Sequence, residues 1–533
     1  MRFCIITVLS ALAVSGSSAA QDPHGRAKKY AIPKRGQSAQ PRSSRGAVDC
    51  FKHLTKKTEP FAVNGTGIPE VNFDVGESYA GTLPITDNAT DPNQFFFWFF
   101  PSNNSAADNE IVIWLNGGPG CSSLDGFFQE NGPFLWLSGT YSPIENPFSW
   151  HKLTNMVWVD QPVGTGLGSF DPDYPRTLRS EDDVARDFAG FWKNFIDTFD
   201  FQGRDVYFTG ESYAGQYIPY IASHFLDLND TDYYKVKGIQ INDPSIADDE
   251  VLISVPAAQY LNNNLNLFNF NQSTIDTVNQ LDTSCGYTKW LDTALTFPPT
   301  GKTETPGCKI DDPWEIIITA ALWVNPCFNI YHVTDYCPFL WDELGFPSHG
   351  WGPNNYFNRS DVQTALNLKS PVSYAVCGDD TLGPIGLSAP SSWSILPSVI
   401  ERTNNVIVGN GNLDFLIMSN GTLAALNNMT FNGAQGFEKA PSDEFYVPYS
   451  DSLYKAMEVI ETQVPIPSLP VGLLGGGGRY GVTHTERGLT WVTVDLAGHE
   501  IPQYVPGAGY RQLEFLLGRI DSLSEPGDFT IPI

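Results

Sequence analysis

Positive charge is scarce in this sequence. Its 533 residues hold 31 Lys and Arg against 59 Asp and Glu, a formal net charge of −28. Such a surface repels phosphate backbones, so nucleic acid is a poor partner. Long apolar runs are scarce too. After residue 20 none reaches the roughly 18 unbroken apolar residues of a membrane-crossing helix, so no span is expected. The spacings that hold zinc, C-x-x-C and H-E-x-x-H, are both missing. Residues 471–481, VGLLGGGGRYG, lack the G-K-[ST] of a phosphate loop and read as a flexible hairpin tip. No internal repeat is found. Neither a metal nor a cofactor is therefore expected.

What is present points to export. Residues 1–20, MRFCIITVLSALAVSGSSAA, have a positive start at Arg2, an apolar stretch and small residues at Ser18-Ala19-Ala20, the pattern of a secretory signal. Residues 21–48 are basic, polar and without periodicity, and read as a leader or propeptide. Lys34-Arg35 within them is a processing site or part of a solvated tail. N-x-S/T acceptors stand at Asn64, Asn88, Asn103, Asn229, Asn271, Asn358, Asn420 and Asn428, as on a glycosylated surface. Cys4 leaves with the signal. Cys50, Cys121, Cys285, Cys308, Cys327, Cys337 and Cys377 remain, an odd number that leaves at least one unpaired. Disulfides are the natural use of the others in an exported chain. The expected location is extracellular, with a vacuolar or lysosomal lumen as the alternative. The acidic balance suits low pH, where protonation relieves self-repulsion.

Length alone suggests about three domains, but the order of elements argues for one large domain with an insertion. Strand patterns fall at Tyr79–Leu83, at 95–100 (FFFWFF), at 110–120 (EIVIWLNGGPG) and at 155–162 (NMVWVDQP). Residues 178–199 are strongly amphipathic, with Ser180 as N-cap and acids in the first turn, and predict a helix. Alternating strands and helices imply a mostly parallel sheet covered on both faces. The rhythm breaks over 230–400, which holds four cysteines and short helical pieces such as Pro313–Val324, and returns at 404–415 and 489–502. The reading is a core in two parts, 49–229 and 401–533, with 230–400 as a cap inserted over the sheet.

Residues 206–219, VYFTGESYAGQYIP, run from strand formers through a tight turn into a helical period. A serine at such a turn is lifted clear of the sheet, as in the nucleophile elbow G-x-S-x-G; here Ala214 stands where the second glycine is expected. A serine hydroxyl needs a base, and the base an orienting acid. In an α/β-hydrolase the order is Ser, acid, His, each at the end of a strand. Ser212, Asp414 and His499 meet that order; the other histidines precede the serine or lie away from strand ends. An oxyanion needs two amide donors. Tyr213, after the serine, supplies one, and the loop Asn116-Gly117-Gly118-Pro119-Gly120 supplies a second.

These segments together resemble a known family. WLNGGPGCSSLDG (114–126), DQPVGTGLG (160–168), GESYAGQYIP (210–219), the Asp414 turn and GHEIP (498–502) are similar to the serine carboxypeptidases of fungi, plants and lysosomes. The resemblance runs from about residue 50 to about residue 520, with the motifs in family order. It implies an α/β-hydrolase fold and release of C-terminal residues from peptides at acidic pH, through an acyl-enzyme and without a metal. It assigns Gly118 and Tyr213 to the oxyanion hole. It assigns Asn116, Gly117, Glu130 and Glu211 to substrate binding, with Asn116, Glu130 and Glu211 holding the substrate's terminal carboxylate. Without it, Glu130 reads as a solvated loop acid. It favours a Cys121–Cys377 bridge with Cys50 as competitor, and pairs the other four cysteines within the insertion. Glu500 departs from the methionine frequent after the family's histidine. It borders the leaving-residue pocket, where it either favours Lys and Arg or is a solvent-screened rim carboxylate. Asn412 stands where an acid is frequent. An esterase or acyltransferase on the same scaffold is the alternative; retention of Asn116, Glu130 and Glu211 favours peptides.

Overall fold

The computed structural model describes residues 51–171, 173, 176–308, 312–338, 340, 343–344, 355–378, 388–451 and 475–533. The signal, the basic leader, Cys50 and residues 471–474 of the glycine run lie outside the described residues.

Eleven strands form the main sheet. In chain order they are β1 (Ala62–Val63), β2 (Ser78–Pro84), β3 (Gln94–Phe100), β4 (Glu110–Leu115), β5 (Met156–Asp160), β6 (Asp205–Glu211), β7 (Val236–Asn242), β8 (Val406–Gly411), β9 (Asp443–Val447), β10 (Gly478–Glu486) and β11 (Leu489–Val494). Their order in space is β1-β2-β3-β5-β4-β6-β7-β8-β11-β10-β9. The central run from β5 to β11 is parallel. Antiparallel strands flank it on both sides. This is the mixed, mostly parallel sheet of an α/β-hydrolase. The parallel strands β4 and β5 read as largely apolar runs because both their faces are covered; every residue of the two is buried.

The aromatic strand β3 shows how the faces divide. Phe95, Phe97 and Phe99 point one way, and Phe96, Trp98 and Phe100 the other, as the period of two requires. Phe95 and Phe97 meet Phe191 and Phe195 of helix α1 (Glu181–Phe199) at ring separations of 5.5 and 5.4 Å. Trp98 stacks on Phe127 at 4.4 Å on the opposite face. Ser180 occupies the N-cap of α1, yet its side chain makes no capping bond; Asp183 accepts from the Arg179 amide instead.

Helix α2 (Ala214–Leu228) comes directly after the elbow. After β7 come α3 (Val255–Asn263), α4 (Gln272–Cys285), α5 (Tyr287–Ala294) and α6 (Pro313–Val324), the last at the bounds expected from the sequence. Helices α7 (Ile395–Thr403), α8 (Ser419–Asn428) and α9 (Pro506–Leu516) complete the set used below. The expected insertion of 230–400 is too wide. Residues 236–242 form β7, hydrogen-bonded between β6 and β8 in the middle of the sheet. The strand is hidden in the sequence because Lys237, Gly238 and Gln240 interrupt its apolar run. The structure tolerates buried Gln240 because its side chain donates to Gln512 of α9 at 3.0 Å. Helix α7, which begins within 230–400 and runs past its end, packs on the sheet side with α2.

Three disulfides close among the described residues: Cys121–Cys377, Cys285–Cys308 and Cys327–Cys337. No helix among them is long and apolar enough to cross a membrane.

Candidate active site

The parallel strands end at one edge of the sheet, and the loops just beyond that edge build the site. Leu115 pairs with Gly210, and Glu211 with Asn242, across β4, β6 and β7. Gly411 pairs with Val494 across β8 and β11. The next residues of each chain segment therefore arrive together.

Ser212 comes immediately after β6 with φ of 59°, a left-handed backbone that a non-glycine residue adopts only under constraint. Its amide donates to Asn242 O at 3.0 Å, and its carbonyl accepts from Gly215 and Ser245, each at 2.9 Å. Glycine is required on both sides of the elbow. A Cβ on Gly210 would stand 2.1 Å from Leu115 O, and one on Gly117 would stand 2.4 Å from the Tyr213 nitrogen. The methyl of Ala214 is accommodated in the core. Gly117 is thus pressed against the amide next to the serine. Gly118, with φ of 109°, turns the loop beside the Cys121–Cys377 bridge.

Asp414 and His499 are both buried. His499 Nδ1 donates to Asp414 Oδ2 at 2.7 Å. Asp414 Oδ1 accepts the amides of Leu416 and Ile417 at 2.7 and 3.2 Å. With Nδ1 engaged, Nε2 remains for Ser212, which lines the same cavity of about 540 Å³. Among the described residues no hydrogen bond links Ser212 Oγ to His499; such bonds are often open in ligand-free enzymes and tighten with substrate. Burial works to lower the His499 pKa, but the Asp414 charge and hydrogen bond, with Glu211 behind them, carry the net shift upward.

A short stretch beyond α6 holds both loops. Ile330 O accepts from Phe415 N at 2.8 Å, Tyr331 O from His499 N at 2.8 Å, and Val333 N donates to Leu413 O at 3.0 Å. The Cys327–Cys337 bridge closes the loop that carries these groups. Gly498 lies directly under it; a Cβ there would be 2.1 Å from Tyr331 O.

Asn116 and Glu211 stand at the ends of adjacent strands. Asn116 Oδ1 accepts from Trp114 Nε1 at 2.7 Å and Gly126 N at 3.1 Å, which turns its amide nitrogen toward Glu211 Oε1 at 2.9 Å. Glu130 is buried, not solvated. Burial, with Glu211 and Glu500 nearby, raises its pKa well above the carboxylate range. Burial pushes Glu211 up to about 7, against the opposing pull of His499 and of its hydrogen bonds. Glu500 lines the cavity with Asp125, Asp335, Tyr331 and Tyr504. Asp335 is held by His332 and Asn329, both at 2.9 Å.

The chain matches the family model described as serine carboxypeptidase over residues 69–518. It belongs to the serine carboxypeptidase family. It is 49% identical over 534 residues to a carboxypeptidase Y homolog of Arthroderma benhamiae, covering 98% of this chain and 100% of that one. It is 39% identical over 545 residues to the serine-type carboxypeptidase F of Aspergillus niger, covering 98% and 99%. Its fold is similar to a prohormone-processing carboxypeptidase from Saccharomyces cerevisiae, with a TM-score of 0.64 at 24% identity over 88% of this chain and 98% of that one. This serine carboxypeptidase is accordingly a serine-type hydrolase of peptide C-termini.

The structure brings Asn116, Gly117, Gly118, Glu211, Ser212, His499 and Glu500 around one cavity, with Asp414 behind His499, the Tyr213 amide against Gly117, and Glu130 buried near Glu211 and Glu500. Sequence reasoning missed Asp125, Asp335 and Tyr504 on the cavity wall, and Asp243 behind Asp414.

This geometry carries two expected outcomes. Gly498→Ala forces the carbonyl of Tyr331 away and shifts His499; we expect kcat to fall about 10- to 100-fold, with labelling of Ser212 by a fluorophosphonate slowed in parallel. The second concerns stability. Burial raises Glu211 to about 7 and Asp160 to about 6, and drives Glu130 and Asp243 well up. The folded state then binds more protons than the unfolded one between pH 4 and 7, so unfolding becomes easier as pH rises. His151, pushed down to about 4 by burial, opposes this over part of the window. The raised acids outnumber it. Calorimetry should find the highest Tm near pH 4 to 5 and a decline by pH 7.5; a Tm that climbs steadily to neutrality contradicts the assignment.

Proposed function

We propose that this serine carboxypeptidase removes C-terminal residues at acidic pH through Ser212, His499 and Asp414. His499 Nε2 takes the Ser212 proton as Oγ attacks the scissile carbonyl. Asp414 keeps the proton on Nδ1 and stabilises the imidazolium. The amides of Gly118 and Tyr213 receive the oxyanion. His499 returns the proton to the leaving amine, and water, activated in the same way, releases the acyl group. The observation that supports this most directly is the 2.7 Å bond from His499 to buried Asp414, in the wall of the cavity that also holds the strained Ser212.

The choice of a free C-terminus comes from the acids. Two buried carboxyls share a site only if one keeps its proton. A protonated Glu211 or Glu130, beside Gly117 and with the Asn116 amide, donates to the substrate carboxylate; the ionised pair repels it. Glu500, on the leaving-residue side, favours Lys and Arg alongside apolar residues. The eight sequons and three disulfides support passage through a secretory route to the outside or to a vacuolar or lysosomal lumen.

The decisive assay is release of C-terminal residues from N-blocked dipeptides across pH 3–8, with Ser212→Ala as control. Loss of activity in Ser212→Ala is expected. The KM for free-acid peptides should rise several-fold between pH 5 and 8, while that for the matching ester stays level. Parallel rises in both would remove the carboxylate role. Glu500→Met should lower kcat/KM for C-terminal Lys about tenfold relative to Leu, about 1.4 kcal/mol of discrimination; an unchanged ratio would dispose of the basic preference.

A further inference from the structure

The turn after β7 reads Asn242-Asp243-Pro244, and the chemistry above leaves Asp243 unused. Asp243 is fully buried. Its Oδ1 accepts from Gly411 N at 2.8 Å and Asn410 Nδ2 at 3.0 Å. Among the described residues no donor reaches its Oδ2. A carboxyl oxygen of Asp243, one of Asp414 and a ring nitrogen of His499 lie within 4.8 Å of one another. The backbone is held for this placement. Asp243 has φ of 44°, and its amide donates to Gly409 O at 2.7 Å. A left-handed residue persists only where its surroundings impose it.

Two buried carboxyls this close cannot both be ionised. Asp414 accepts three hydrogen bonds, from His499, Leu416 and Ile417, and Asp243 accepts two. The charge therefore belongs to Asp414 and the proton to the bare Oδ2 of Asp243. We infer that Asp243 is a positioning residue whose protonated carboxyl donates from Oδ2 to Asp414 and holds that carboxylate in line with His499. The inference rests on the proposed Ser212–His499–Asp414 mechanism. Burial first, and then the Asp414 charge, raise the Asp243 pKa well above the carboxylate range, in keeping with a retained proton. The titratable groups around it are Asp414 beyond β8, Glu211 at the end of β6 and His499 beyond β11. Asn410 and Gly411 of β8 contribute neutral donors. When Asp243 ionises, its charge opposes Asp414 and the alignment is lost.

The test uses an N-blocked amino-acid ester, which has no free carboxylate and so bypasses Glu130 and Glu211. Asp243→Ala should lower kcat tenfold or more with KM within twofold. Asp243→Asn, a permanent donor of the same shape, should recover most of that loss and move the alkaline limb of kcat to higher pH. Asp243→Ala should cost nothing further in an Asp414→Ala background, because it acts through that residue. A kcat for Asp243→Ala within twofold of the parent overturns the inference. So does an Asp243→Asn enzyme whose alkaline limb has not moved, and that readout decides the matter if Asp243→Ala does not fold. Full activity in Asp414→Ala is the separate sign that the mechanism beneath the inference has failed.

Discussion

The hydrogen bond between Asp414 and His499 is the point on which the rest of the molecule converges. Its two residues lie just beyond β8 and β11, neighbours in the parallel sheet, so strand register brings their loops side by side. Register alone does not fix the loops. The stretch Ile330–Val333 does, with three backbone hydrogen bonds to Leu413, Phe415 and His499. Each is worth about 1 kcal/mol net, but a buried backbone group left without its partner costs more. The region between β7 and β8 is therefore part of the proposed base, and not only a cover above it.

A second theme is the use of protons where other proteins use cations. The chain is poor in Lys and Arg, and the cavity wall carries Asp125, Glu211, Asp335 and Glu500. Burial keeps Glu130, Glu211 and Asp243 neutral at acidic pH. A neutral carboxyl both accepts and donates. That suits a site which must hold a substrate carboxylate in one corner and steady an ionised aspartate in another.

Much of this was readable from residue order. The parallel strands β4 and β5 are legible as apolar runs because both their faces are covered, and β8 by Val406-Ile407-Val408 leading into a polar turn. The elbow was readable because strand formers meet a helical period across Gly210 and Ser212. Strand β7 was not. Lys237, Gly238 and Gln240 break its pattern, and only the partner Gln512, 272 residues away, makes a buried Gln240 acceptable. Asp243 is hidden with it, since nothing in the local pattern marks it as following the end of a strand. Glu130 could be placed only through family resemblance: nothing local distinguishes a buried loop acid from a solvated one. The Ile330–Val333 clasp left no trace, because its contacts to the site are made by main-chain atoms common to every sequence.

The order of the strands has a consequence for the cell that makes this enzyme. The proposed nucleophile, acid and base emerge from the ribosome at positions 212, 414 and 499; the clasp comes between the first and the last, and the Cys121–Cys377 bridge can close only once residue 377 is made. A nascent chain carries the serine and its elbow for nearly three hundred residues of synthesis without an imidazole to activate them. Proteolytic competence is thus deferred until almost the whole polypeptide has been translated, and a product that stops short of residue 499 lacks the proposed base.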